Sequence, residues 1–160
     1  MMKQWKKTGV ASMDEVEKIL PSRERRAKGG YVVIECFENI PCDPCHAACP
    51  FGAILPFENI NDLPKVDYDR CTGCGICVPL CPGLAIFVVN EAASEDTALI
   101  AIPYELLPIP QKGDKVKGLD REGKIVCEAT VHKVIPGKNK TITVWISVPK
   151  QFANIVRHFK

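Results

Sequence analysis

Cys71-Thr72-Gly73-Cys74-Gly75-Ile76-Cys77-Val78-Pro79-Leu80-Cys81-Pro82 decides how this chain is read. Its thiols fall at C-x2-C-x2-C-x3-C-P. An upstream run ends the same way, Cys42-x2-Cys45-x3-Cys49-Pro50, but its leading Cys36 stands off by a five-residue spacer. The two runs hold eight of the nine cysteines. Each Cys-Pro is followed by a similar tail, Phe51-Gly52-Ala53-Ile54 in one run and Gly83-Leu84-Ala85-Ile86 in the other, so the stretch is an internal duplication.

Size and charge narrow the setting. The chain has 160 residues, with 21 Lys+Arg against 19 Asp+Glu, and this near balance argues against a nucleic-acid or anionic-membrane partner. No apolar run reaches a membrane-spanning length, and residues 1–20 lack the apolar core of a signal peptide. A reducing, cytoplasmic setting is therefore expected. There, clustered thiols at short fixed spacings read as metal ligands rather than disulfides.

The spacing then selects the metal. A cubane [4Fe–4S] cluster takes one thiolate on each iron, and cysteines at i, i+3 and i+6 can wrap three corners of the cube. The fourth lies too close in sequence, with a proline behind it, to close the same cube. Paired C-x2-C knuckles also build four-thiolate zinc sites. Zinc sites use two cysteine pairs per ion, however, and a third cysteine at i+6 followed by Cys-Pro suits the bacterial iron–sulfur pattern.

Residues 31–89 resemble a bacterial-type dicluster ferredoxin. The resemblance is carried by Cys71 to Cys77, by both Cys-Pro endings and by Gly52-Ala53-Ile54. It implies two [4Fe–4S] clusters in a compact pseudo-two-fold fold that passes single electrons. By the family pattern the fourth cysteine of each run serves the other cluster. Cys71, Cys74 and Cys77 then share a cluster with Cys49, and Cys36, Cys42 and Cys45 share one with Cys81. The sequence departs from the pattern twice. Asn39 stands where the first ligand is usual, with Cys36 displaced upstream, and Gly83 is shifted by one position against Gly52. If Cys36 does not reach, that site loses an iron, uses water or takes another ligand.

The flanks predict an α+β chain in three parts: an N-terminal helical arm (residues 1–30), the dicluster module (31–92), and a linker with a small antiparallel β unit ending in a helix (93–160). The arm begins with Lys3, Trp5, Lys6 and Lys7, and Ser12-Met13-Asp14-Glu15 has the form of a capping box. Met13, Val16, Ile19 and Leu20 follow at helical spacing before Pro21. The helix either packs on the core or reaches a partner. Arg23, Arg25, Arg26 and Lys28 read as a solvated basic face. Strands are expected at residues 31–35, 86–89, 99–102, 115–119, 125–134 and 141–148, with a terminal helix placing Phe152, Ile155, Val156 and Phe159 on one face.

Other residues carry less. Ile40, Ile54, Ile76, Val78, Leu80 and Ile86 are expected to wrap the clusters, and Gly73 and Gly75 to let backbone approach sulfur. Cys127 reads as a small strand hydrophobe, and His46 as an exposed loop residue. His132 and His158 have no partner at ligand or triad spacing. No phosphate loop, nucleophile elbow or dinucleotide fingerprint occurs, so no flavin or nicotinamide site is expected. The layout resembles small iron–sulfur subunits that relay electrons from a flavoprotein dehydrogenase, for instance of amines or amino acids. Electron transfer without a substrate site is the leading expectation. A free ferredoxin shuttle, a redox-sensing or structural module, and an oxidoreductase with an open iron site are the alternatives.

Overall fold

The computed structural model describes residues 5–160; Lys3, counted above in the basic start of the arm, lies outside them. Seven strands form an antiparallel sheet: β1 (Tyr31–Ile34), β2 (Ile86–Asn90), β3 (Thr97–Tyr104), β4 (Lys115–Leu119), β5 (Ile125–Ile135), β6 (Ile142–Pro149) and β7 (His158–Phe159). Their spatial order is β1-β2-β3-β6-β5-β4-β7. Four short helices complete the described chain: α1 (Trp5–Thr8), α2 (Met13–Glu17), α3 (Arg23–Ala27) and α4 (Pro44–Ala48). Together they make an α+β fold.

Period-2 alternation sorts the side chains onto two faces. Tyr31, Val33, Val89, Ile100, Ile102, Val131, Val144 and Ile146 fill the larger core on one face. Val32, Ile34, Ile86, Val88, Ala101 and Trp145 point the other way, against Ile54, Cys77 and Val78 of the cysteine loops. All four residues of β1 are therefore buried, and each fully buried Val or Ile contributes about 1.5–3 kcal/mol. In β6 the alternation of Ile142, Val144, Ile146 and Val148 with Thr143, Trp145 and Ser147 predicts one apolar and one mixed face, yet Thr143, Val144, Trp145 and Ile146 are all buried. The second cysteine loop covers the mixed face, bringing Gly75 onto the Trp145 ring.

The sheet also curls. Glu35 follows β1 at one edge, and it binds Arg121 and Arg157, which flank β4 and β7 at the other. The sheet continues across residues 91–96, with Val88 opposite Ala101 and Asn90 opposite Leu99.

The expected terminal helix is not formed. Lys150–Phe152 is a single 3-10 turn, and β7 then adds to the edge of β4. Lys117 and Lys160 exchange backbone hydrogen bonds at 2.8 and 3.0 Å, and the Arg157 N–H donates to the Leu119 carbonyl at 2.9 Å. A segment this short gains little as an isolated helix, whereas β4 offers it an open edge to pair with.

The arm packs on its own chain. The Ser12–Glu15 capping box forms as expected, Val16 is buried, and Trp5 is buried beside Phe37 of the long spacer, ring centroids 6.2 Å apart. α2 stops at Glu17, short of the expected Leu20.

Candidate functional site

The two cysteine runs come together in a crossed arrangement. Cys49, from the end of the first run, lines one cavity with Cys71, Cys74 and Cys77 of the second, closed underneath by Val32, Ile54 and Val88. Cys77 is buried, Cys71 and Cys49 are half-buried, and Cys74 is exposed. Cys81, from the end of the second run, lies within electrostatic reach of Cys36 and Cys45, as does Cys42. Among the described residues no three His, Cys, Asp or Glu close to the separation that holds one metal ion.

α4 places Cys45 and leads into Cys49, with Pro44 in its first turn, where a missing N–H is harmless. A 3-10 turn, Val78–Leu80, plays the same part before Cys81. The two Cys-Pro corners are locally alike. The Gly52 N–H donates to the Cys49 carbonyl at 3.3 Å and the Leu84 N–H to the Cys81 carbonyl at 3.1 Å. One residue on, the Ala53 N–H donates to Cys49 Sγ (3.3 Å) and the Ala85 N–H to Cys81 Sγ (3.5 Å). The apparent glycine shift is resolved in the backbone, because Leu84 takes φ +52° where Gly52 takes +62°. A left-handed non-glycine residue costs about 1–2 kcal/mol, and a glycine there loses about 0.5–1 kcal/mol in entropy. Leu84→Gly is accordingly expected to leave stability within about 1 kcal/mol, and Leu84→Val, β-branched at positive φ, to lower it further. Urea midpoints of the three proteins check this.

The thiols differ in electrostatic setting. At Cys49 burial favours the thiol, but the N–H groups of Ile54, Ala53, Phe51 and Gly52 together outweigh it and lower the pKa. Burial first, then the charges of Cys71, Cys74 and Cys49, push Cys77 up to about 12. Burial likewise raises Cys45 to about 11, with Cys81 and Cys42 adding to it. Four converging thiolates repel one another unless positive charge lies between them. An iron–sulfur cluster supplies that charge, so this donor set fits it.

Several expectations change. Ile54, Val78 and Ile86 are buried as a cluster wrapping should be, but Ile40, Ile76 and Leu80 are exposed at 46, 48 and 40%. Gly73 and Gly75 have φ of +67° and +82°. Gly73 also makes a close approach to the backbone of Gly30. His46 sits on α4, not in an exposed loop, with Nδ1 2.8 Å from the Ile54 carbonyl oxygen. Cys127 packs at the rim of the larger core, half-buried. The displaced spacer is anchored: Asn39 donates to the Asn61 carbonyl (2.9 Å), and the Cys42 N–H to that of Ile60 (3.2 Å).

Three features escaped the sequence reading. Arg25 binds the second cysteine loop, Gly30 meets Gly73, and Glu35 is enclosed by two arginines. Each joins residues far apart in sequence. The adjacent Gly29-Gly30 was the only local sign, and Arg25 looked no different from the basic residues around it.

Residues 64–87 match the 4Fe-4S binding domain family. An uncharacterized ferredoxin of Methanocaldococcus jannaschii is 32% identical over 123 residues, 76% of this chain and 73% of its own. The chain belongs to the ferredoxin family: it is an iron–sulfur, 4Fe–4S protein of electron transport. The pyruvate synthase subunit PorD of the same organism is 48% identical over 52 residues, 32% of this chain and 58% of its own. A subunit of the Na(+)-translocating ferredoxin:NAD(+) oxidoreductase complex of Acetobacterium woodii is 50% identical over 48 residues, 30% of this chain and 14% of its own. This chain thus spans less than two thirds of those two relatives. No solved structure matches. Among the described residues no helix is long and apolar enough to cross a membrane.

Proposed function

We propose that the chain carries two [4Fe–4S] clusters, one on Cys36, Cys42, Cys45 and Cys81, the other on Cys71, Cys74, Cys77 and Cys49. It passes single electrons between them and has no substrate site of its own. The observation that carries this reading is the crossing of the fourth cysteines, with Cys49 in the cavity of the second run and Cys81 beside Cys36 and Cys45. The matching Cys-Pro corners support a pseudo-two-fold module in residues 31–92, with residues 93–160 as its support. When bound, the clusters supply one-electron chemistry. The chain's part is to hold them, donate N–H groups to ligand sulfur and exclude water on the β1–β2 side, levers that set the potential.

We place the protein in the cytoplasm as the iron–sulfur subunit of a multi-subunit oxidoreductase. Two of the relatives above are named as subunits, which supports this. The partner we propose is a flavin-bearing dehydrogenase. Native co-purification with a flavin-absorbing chain supports that partner, and a lone monomer with its clusters intact counts against it.

Iron and sulfide counting after anaerobic purification tests the core of the reading. About eight irons are expected, four for each cubane, with EPR of two interacting clusters after reduction. About four irons, or a single zinc, overturns it. Cys81→Ala is expected to disturb the Cys36, Cys42 and Cys45 cluster and spare the other, and Cys49→Ala the reverse.

A further inference from the structure

Arg25 lies on α3, outside both cysteine runs, yet its guanidinium is bound to the second one. Nη2 donates to the Cys71 carbonyl at 2.6 Å and to that of Gly30 at 2.9 Å. Nε donates to the Tyr68 carbonyl at 2.8 Å and Nη1 to that of Gly29 at 3.4 Å. These partners are neutral carbonyls, so the bonds hold the cation in place without cancelling its charge. The helix carrying it is also fixed. Ser22 caps α3 by accepting from the Arg25 N–H, and Gly30 lies against Gly73 within the same cysteine loop.

The two sites differ in net fixed charge: Arg25 offsets Asp69 at the second, whereas Glu38 and Asp43 leave the first negative by one. Near Cys71, Arg70 is paired with Asp67 at 3.1 Å, and Asp69 is exposed to water. Arg25 is half-buried there, and its hydrogen-bond acceptors are carbonyls rather than a carboxylate. At the other site Glu38 and Asp43 lie within the ligand loop, both exposed. Glu35 beside Cys36 is matched by Arg121 and Arg157, which together outnumber it by one positive charge. Reduction adds negative charge to a cluster, and a nearby fixed cation favours the reduced form. The effect is largest where water and salt screen least.

Resting on the two-cluster reading, we infer that Arg25 is a positioning and charge-supplying residue for the cluster of Cys71, Cys74, Cys77 and Cys49. It raises that cluster's reduction potential above its neighbour's, so the first electron to enter settles there. The sequence showed only one arginine in a basic run. The structure shows an N-terminal strap that makes the two halves of a duplicated module unequal.

The test is an anaerobic, EPR-monitored redox titration of the full chain, with dithionite supplying the electrons, alongside iron counting. Arg25→Gln is expected to lower one midpoint and leave the other in place, with about eight irons retained. Arg25→Lys, which keeps the charge, is expected to recover most of the loss. Two unmoved midpoints, an equal shift of both, or a lysine variant displaced as far as the glutamine one overturns the inference. A wild-type count of about four irons instead sinks the two-cluster reading beneath it. Should Arg25→Gln not assemble, the unaltered protein still decides the matter. At half reduction, the hyperfine-shifted β-protons of Cys71, Cys74 and Cys77 should change before those of Cys36, Cys42 and Cys45, and the opposite order overturns the proposal.

Discussion

Gly73→Ala is expected to detach the second cysteine loop from the N-terminal arm and to lower the iron content of the protein. A Cβ at residue 73 falls 2.4 Å from the Gly30 carbonyl carbon and 2.6 Å from its Cα, and both are backbone atoms that no rotamer change can move. The position also has φ +67°, which disfavours any L side chain. The left-handed cost of about 1–2 kcal/mol and an overpacking cost of about 1–3 kcal/mol combine to roughly 2–5 kcal/mol. That is a large share of the total stability of a typical domain, about 5–15 kcal/mol. Gly123→Ala is the control: it has φ +79° but nothing within 4 Å of its Cβ, so it carries the strain without the clash. Urea unfolding followed by circular dichroism should show a loss at least about twice as large for Gly73→Ala. Iron counting should fall for that variant and hold for the control. Equal losses mean that the Gly30 contact is slack.

Glu35→Gln should be comparably damaging for a different reason. The Glu35 carboxylate is 10% exposed and Arg157 4% exposed, and their contact is 2.6 Å from Arg157 Nε to Glu35 Oε1. Arg121 reaches the same carboxylate through Nε at 2.8 Å and Nη2 at 2.5 Å. Removing the anion leaves two guanidinium groups facing each other away from water, and breaking a buried pair costs about 3–5 kcal/mol. The group joins the end of β1 to the segments beside β4 and β7, so the curl of the sheet should loosen with it.

The same group gives a pH signature. Burial alone raises the Glu35 pKa, but the Arg121 hydrogen bond and the charges of Arg157 and Arg121 together carry it below the ordinary 4.5. A carboxylate with a depressed folded pKa contributes stability that is full above about 4.5 and is lost as the pH falls through the folded value. The gap in urea midpoint between wild type and Glu35→Gln should therefore be widest at neutral pH and narrow below about pH 4.5. A gap that is constant with pH means the loss is one of packing rather than charge.

The cysteine spacing was legible because ligand loops are local. A thiol every third residue wraps one object whatever the rest of the chain does, and the two Cys-Pro corners do form with the same hydrogen bonds. The strands of the C-terminal half were legible through alternation and turn residues, and β4 occupies the expected residues 115–119. The terminal helix was misread because Phe152, Ile155, Val156 and Phe159 satisfy a helical period. That period carries no information about the open edge of β4, which captured the backbone instead.

The order of the cysteines by itself determined the class of this protein, since iron–sulfur ligation is written in short spacings. Only the folded chain decided how the two halves differ. Gly30 against Gly73, Arg25 on the Cys71 carbonyl and Glu35 between Arg121 and Arg157 each join residues more than 40 positions apart. Sequence patterns report what repeats along the backbone. Contacts of this kind arise from the curl of the sheet and the path of the arm, which the periodicity of a single strand or helix does not record.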